Sequence, residues 1–203
     1  MKILFLSNND ITHPLFEWLK NTEGHDNVIL YSEAITANQF MAGKEFSGIE
    51  FIVSYNYSFV INKNVISLFQ HRIVNLHTSL LPWNRGASPN LWSFIEGTPS
   101  GVTIHEIDEG VDTGDILVQQ VIIFDFNKET LKSSYEKSHM IMGELFRANW
   151  DRIKNGSIKP KPQSGTTHSK KDSKAFTHLI DYNDSINGFI GKFKKLSSKQ
   201  HSR

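Results

Sequence analysis

Residues 49–77, "IEFIVSYNYSFVINKNVISLFQHRIVNLH", place a helical segment between two apolar runs. "IEFIVSY" (49–55) and "RIVNLH" (72–77) read as strands, and "NKNVISLF" (62–69) as a helix with Asn62 as its cap. Towards the N-terminus, "KILFLS" (2–7) is a short apolar run of the kind buried on both faces of a sheet. "THPLFEWLK" (12–20) reads as a helix, with Thr12 or His13 as cap and Pro14 in the first turn. "NVILYS" (27–32) is another strand, and "ITANQFMAGKEF" (35–46) a short helix. Strands alternating with helices over 77 residues imply parallel crossovers. The fold class is therefore α/β: a Rossmann-like, open, mostly parallel sheet with helices on both faces.

Further along, "PNLWSFIEG" (89–97) reads as a helix closed by Gly97. "GVTIHEI" (101–107) and "DILVQQVIIF" (115–124) are β-rich and would pair antiparallel through "DEGVDTG" (108–114). Residues 127–156 form the clearest helix. Leu131, Tyr135, Met142, Leu145, Trp150 and Ile153 recur at helical spacing, with Asn127 to cap the start and Gly156 the end. The pattern then fades into loop over 157–176, and "SINGFIGKFKKL" (185–196) suggests a short final helix. The expected organisation is a main domain over 1–155 and a basic, partly looped C-terminal extension over 156–203.

A chain of 203 residues suits one domain with a sizeable core, and 38% hydrophobic with 21% charged residues is ordinary for a soluble globular protein. The absence of cysteine excludes disulfides and thiol chemistry. "MKILFLSNND" reads as a buried strand rather than a signal peptide, and no run approaches the roughly 18 apolar residues of a membrane span. A cytoplasmic protein without membrane contact is expected. The net charge of +1 conceals a division: residues 152–203 hold 12 of the 22 Lys and Arg but only 3 of the 21 Asp and Glu. Such a tail could meet phosphates, or simply be solvated.

In an open α/β sheet, ligands bind beyond the carboxyl ends of the strands. Four chemically rich segments fall there: "SNND" (7–10), "YNYSF" (55–59), "NLHTSLLPWNRGASP" (75–89) and "DEGVDTGD" (108–115). Side chains alternate along a strand, so Asn75 and His77 share a face and Leu76 points to the core. An amide beside an imidazole can polarise a carbonyl and move a proton, which suits acyl transfer. A carboxylate touching the imidazole would orient it; the candidates are Asp108, Glu109, Asp112 and Asp115. His105 and His139 are available metal ligands, but no HxxxH or HExxH spacing occurs and no metal is expected. Neither a GxGxxG nor a P-loop motif is present. Trp83, Trp92 and Trp150 read as packing residues, with Trp92 the exception because it lies just beyond the candidate site. "SGTTHSKKD" (164–172) could meet phosphate oxygens or be a solvated loop, and "WNRGAS" (83–88) reads as a structural loop.

The stretch "NLHTSLLPWNRGASPNLWSFIEGTPSGVTIHEIDEGVDTGDIL" (75–117) resembles the formyltransferase family that uses N10-formyltetrahydrofolate. Its pattern of N-x-H-x-S-L-L-P, G-x-x-P and G-V-T-I followed by D-T-G-D is present in order, and the likeness extends over about residues 1–155. The resemblance implies that Asn75, His77 and Asp112 are catalytic, choosing Asp112 among the four carboxylates. It implies a folate pocket built from Tyr57, Phe59, Val60, Ile61, Leu81, Ile107, Asp108, Glu109 and Val111, with Leu81–Pro82 a candidate cis bond.

Within the family, "KILFLSNND", "FIVSYNYSFVI" and "SGTTHSKKD" resemble the sugar N-formyltransferases. The implied reaction is formylation of a 4-amino or 3-amino deoxysugar linked to dTDP or UDP, for surface polysaccharide such as O-antigen. Asn8, Asn9, Trp92, His168, Lys170 and Lys171 are the implied substrate contacts. A homodimer is suggested; nucleic acid is not an expected partner. The alternatives are a glycinamide ribonucleotide or methionyl-tRNA formyltransferase, or an inactive relative that binds folate or nucleotide. Too few residues follow the long helix for the barrel of the methionyl-tRNA enzymes, and "SNND" stands where the glycinamide enzymes carry a glycine-rich loop.

Overall fold

The computed structural model describes the backbone of residues 1–201 and the side chains of 1–198. Strands β1 (Ile3–Leu6), β2 (Val28–Tyr31), β3 (Phe51–Tyr55) and β4 (Ile73–His77) form parallel ladders in the order β2-β1-β3-β4. Every side chain of β1 and β3 is buried, as their apolar runs, interrupted only by Ser54, suggest. The remaining strands are the short β5 (Arg85–Gly86), then β6 (Gly101–Glu106), β7 (Ile116–Val121) and the short β8 (Thr167–His168). β6 pairs antiparallel with β4, and β7 follows at the edge. Glu106 N donates to Asp115 O near the turn and Ile122 N to Ser100 O at the far end, so β6 and β7 form an antiparallel hairpin. The α/β class and the mostly parallel six-stranded sheet agree with the reading from sequence.

The helices are α1 (His13–Glu23), α2 (Lys63–Ile66), α3 (Pro89–Glu96), α4 (Leu131–Lys154), α5 (Lys170–Lys174) and α6 (Ile186–His201). Asn62 caps α2 as expected, accepting from Asn64 N at 2.8 Å. α3 begins at Pro89 and ends at Gly97, whose φ of 66° lies in the left-handed region. Two expectations are corrected. The segment 35–46 holds only a single 3-10 turn, Ala37–Phe40. And α4 starts at Leu131, because Thr130 and Ser133 cap each other reciprocally while Asn127 accepts from Asn187 instead.

The chain divides into two compact units: Met1–His77 with Thr103–Val118 and Gly143–Gln163, and Thr78–Val102 with Gln119–Met142 and Ser164–Arg203. The first is built on Leu4, Leu6, Ile52, Phe69 and Ile73, with Trp150 packed edge-on against Phe51 at 5.3 Å. The second has its own cluster of Leu91, Phe94, Leu131, Phe176, Ile186 and Phe189. Trp83, expected to pack, is instead 39% exposed. No helix among the described residues is long and apolar enough to cross a membrane.

Candidate active site

The end of β4 and residues 107–115 build one constellation in the first unit. Leu76 is buried in the core, and its neighbours Asn75 and His77 take the opposite face. Antiparallel pairing sets His105 of β6 directly across from Asn75, and Thr103 across from His77. The connection that follows is held from several directions. Asp108 Oδ1 accepts from Gly110 N and from the Thr113 hydroxyl, closing the turn on itself. Gln163 Nε2 donates to the carbonyls of Asp112 at 3.1 Å and Gly114 at 2.6 Å. A side chain at Gly114 would run into the Glu106 carbonyl, so the backbone can pass there only as glycine. Asp112 itself has a φ of 53°, a left-handed conformation that Asp tolerates better than most residues.

That backbone aims the Asp112 carboxylate at β4 and β6. Its Oδ2 lies 3.4 Å from His77 Nδ1, and its Oδ1 accepts from Asn75 Nδ2 at 3.0 Å. His105 Nε2 sits 3.2 Å from the same Asn75 nitrogen and 3.4 Å from Asp112 Oδ1. His77 and Asp112 have side chains only 7% and 15% exposed, so little water screens the interaction. A carboxylate at Nδ1 orients the ring and leaves Nε2 as the nitrogen that can exchange a proton. Among the four carboxylates left open by residue spacing, Asp112 is the one the fold brings to His77.

Two members of this constellation were not singled out in this role from sequence. His105 read only as a spare metal ligand; the signal that it faces Asn75 is strand register, which residue order does not specify. Gln163 lies in a segment that reads as loop, and its contacts span about 50 positions of chain.

The residues expected around folate and substrate lie as follows. In the first unit, Phe59, Val60 and Val111 are exposed apolar side chains, at 42%, 82% and 53%, on the loops after β3 and β6. Ile61 is buried, Ile107 half-buried and Glu109 exposed. The Tyr57 hydroxyl donates to the Glu33 carbonyl, and burial pushes the phenol up to about 12. Asn8 donates to the Ser32 carbonyl and accepts from Ser58 N, tying the loops after β1, β2 and β3 together. Asn9 accepts from Ile11 N as the cap of a short turn.

In the second unit, the Leu81–Pro82 bond is cis, and the Leu81 carbonyl accepts from Gln119 Nε2 at 2.6 Å. The "WNRGAS" loop and the "SGTTHSKKD" segment meet there, since β5 pairs with β8. Trp92 stacks on His168 with ring centroids 3.8 Å apart, and its Nε1 donates to Ser173 Oγ. His168 Nε2 is 3.1 Å from Glu96 Oε1. Lys170 and Lys171 are exposed at the start of α5, after a reciprocal Ser169–Asp172 cap.

The family described as "Formyl transferase" matches residues 9–147. The crystal structure of the formyltransferase PseJ from Anoxybacillus kamchatkensis, solved with UDP-4,6-dideoxy-4-formamido-L-AltNAc and tetrahydrofolate, is 36% identical. The match covers 95% of this chain and 99% of that one, with a TM-score of 0.83. Rv3404c from Mycobacterium tuberculosis, described as a likely sugar N-formyltransferase, is 28% identical over 90% of this chain and 81% of its own, with a TM-score of 0.75. The methionyl-tRNA formyltransferase of Thermodesulfovibrio yellowstonii is 38% identical over 139 residues, 67% of this chain and 44% of that protein. The chain spans about half the length of the curated methionyl-tRNA formyltransferases it matches.

Proposed function

The chain belongs to the formyl transferase family, and on that premise we propose that it transfers a formyl group from N10-formyltetrahydrofolate to the amine of a nucleotide-linked amino-deoxysugar. The observation that carries the reading is the likeness to PseJ, which runs through 95% of this chain and 99% of PseJ at 36% identity. It reaches beyond the 139 residues shared with the methionyl-tRNA enzyme. A 4-formamido sugar and tetrahydrofolate are what formyl transfer to a 4-amine leaves behind, so a UDP-linked 4-amino-4,6-dideoxy sugar is the first acceptor to test.

In this reading the acceptor nitrogen attacks the formyl carbon and a tetrahedral oxyanion forms. The Asn75 amide, whose nitrogen lies beside Asp112, and His77 stabilise that charge as it develops. The carbon–N10 bond then breaks. The proton lost by the amine passes through His77 Nε2 to N10, while Asp112 holds the ring from Nδ1. The exposed apolar side chains of Phe59, Val60 and Val111 suit the flat ring system of a pterin. Lys170 and Lys171 are cations able to meet the diphosphate.

The test offers purified protein N10-formyltetrahydrofolate with UDP- and dTDP-linked 4-amino and 3-amino sugars, glycinamide ribonucleotide and charged initiator tRNA. Acceptor mass is then followed for the gain of one CO. Formylation of a nucleotide-linked amino sugar is expected. Formylation of the tRNA or of glycinamide ribonucleotide, with every amino sugar unchanged, would overturn the reading. The tRNA arm is required because the curated relatives are methionyl-tRNA formyltransferases. Folate binding without turnover of any amine would mark a binding protein instead.

A further inference from the structure

Both polar contacts of the Asn75 amide nitrogen run into the buried network. Their acceptors, Asp112 Oδ1 and His105 Nε2, lie only 3.4 Å apart, close enough to share one amide hydrogen and leave the other for the reacting group. Whether the second contact attracts depends on where His105 carries its hydrogen. His105 Nδ1 lies 2.6 Å from the Glu106 carbonyl oxygen. A carbonyl only accepts, so Nδ1 is the protonated nitrogen. In the neutral ring this leaves a lone pair on Nε2, the partner an amide N–H requires.

The two ends of a carboxamide match in shape and are opposite in hydrogen bonding. Turning Asn75 over would set its oxygen against the Asp112 carboxylate and the Nε2 lone pair, three acceptors with no hydrogen among them. His105 is 1% exposed, so bulk water does not relieve that arrangement. The groups facing its ring are Asn75 and His77 of β4, Asp112 from the connecting loop and the carbonyl of Glu106. His77 stands edge-on with centroids 6.0 Å apart.

We propose that His105 is a positioning residue whose Nδ1–H tautomer holds the Asn75 carboxamide with its donor end towards Asp112 and the reacting group. The inference rests on the formyl-transfer reading for its consequence: a carboxamide turned over would present oxygen to the developing oxyanion. Asp112 also favours the donor end, so His105 reinforces an orientation rather than creating it alone. Its removal therefore weakens turnover without abolishing it.

The test compares His105→Leu, which removes the acceptor, with His105→Gln, whose amide oxygen reaches about as far as Nε2. For the leucine variant kcat is expected to fall about 10-fold, the size of one lost hydrogen bond, with KM for both substrates within roughly 3-fold. The glutamine variant is expected to recover most of kcat. Nitrogen-15 spectra supply readouts that do not depend on turnover. Wild-type His105 should show the Nδ1–H tautomer. The Asn75 side-chain amide signals, identified by their loss in Asn75→Ser, should move in His105→Leu and return in His105→Gln. An Nε2–H tautomer, Asn75 signals indifferent to the leucine change, or an unaltered kcat would each overturn the proposal. If the leucine variant does not fold, the wild-type tautomer and the glutamine kinetics decide. If no amine is formylated while the spectra behave as stated, the functional reading fails and the positioning stands.

Discussion

Two regions of the molecule are rich in polar side chains and use them differently. At the end of β4, Asn75, His77, His105 and Asp112 converge from two strands and a loop, and their contacts are chiefly with one another. Around β5 and β8, Asn84, Glu96, Trp92 and His168 are just as close-knit. There, however, the bonds tie one segment of chain to another: Asn84 N to Thr166, Trp92 to Ser173, Arg85 N to the Thr166 carbonyl. The first group includes a backbone conformation few residues tolerate, at Asp112, maintained by Gly114 and Gln163. Polar residues alone do not mark a reaction centre. What distinguishes the first region is two histidines gathered on one half-buried carboxylate, where the second has a single His168–Glu96 pair among bonds that tie chain segments together.

That contrast makes its strongest prediction at Asp112. Asp112→Asn keeps a residue suited to the left-handed backbone and removes the charge that orients His77. We expect kcat to fall by a factor of about 100 to 10,000, with a melting temperature close to wild type. A variant that keeps most of its turnover would dissolve the distinction between the two regions.

Burial of a histidine without a catalytic setting gives a different signature. His139 on α4 packs against Tyr135 with centroids 4.3 Å apart, and burial lowers its pKa to about 4. The unfolded chain takes up that proton first as pH falls from its ordinary value near 6.5. The contribution is therefore fully present above pH 6.5 and is lost between there and pH 4, by up to about 3 kcal/mol. Urea unfolding of wild type and His139→Leu at pH 7.5 and pH 4.5 checks this: the wild type should lose more stability than the variant. Parallel losses would show that other groups carry the acid sensitivity.

Asn84 is the counterpart of Asp112 in the second region. It is fully buried, donates to Glu96 at 2.9 Å and accepts from the Thr98 hydroxyl at 2.7 Å. Its φ of 59° is also left-handed. Asn84→Ala should cost about 2 to 3 kcal/mol, from unpaired buried partners and a poorer left-handed residue. The melting temperature should fall by roughly 5–10 °C in a chain of this size. Below the transition, kcat should stay near wild type. A collapse of kcat in a variant that still melts normally would move Asn84 into the reaction machinery.

The difference between these regions was partly legible in the residues alone. β1 is an unbroken apolar run, β3 is interrupted only by Ser54, β4 is apolar but for Asn75 and His77, and α3 ends at a glycine, so local chemistry placed them. Alternation put Asn75 and His77 on one face, and family likeness singled out Asp112. What lay out of reach depends on register and distance. The pairing of Asn75 with His105 needs the β4–β6 offset. The two-residue ladder of β5 and β8 joins segments about 80 positions apart and has no periodicity to detect. Asn127 looked like a helix cap, but Thr130 and Ser133 satisfied the helix start one turn later.

The weakest expected effect falls on the proposed substrate contacts, where the second region would also serve binding. Lys170 and Lys171 are exposed, so each attraction to a diphosphate is screened by water and salt. Replacing both by methionine should raise KM for the nucleotide-linked sugar by about 3- to 10-fold, leaving kcat and KM for the formyl donor nearly unchanged. The rise should shrink as salt is added, because screening already weakens the wild-type contact. A KM that does not move at low salt would make the two lysines a solvated helix start. Of the implied contacts in the second region only Trp92 and His168 would then remain, and the contrast with the β4 edge would sharpen.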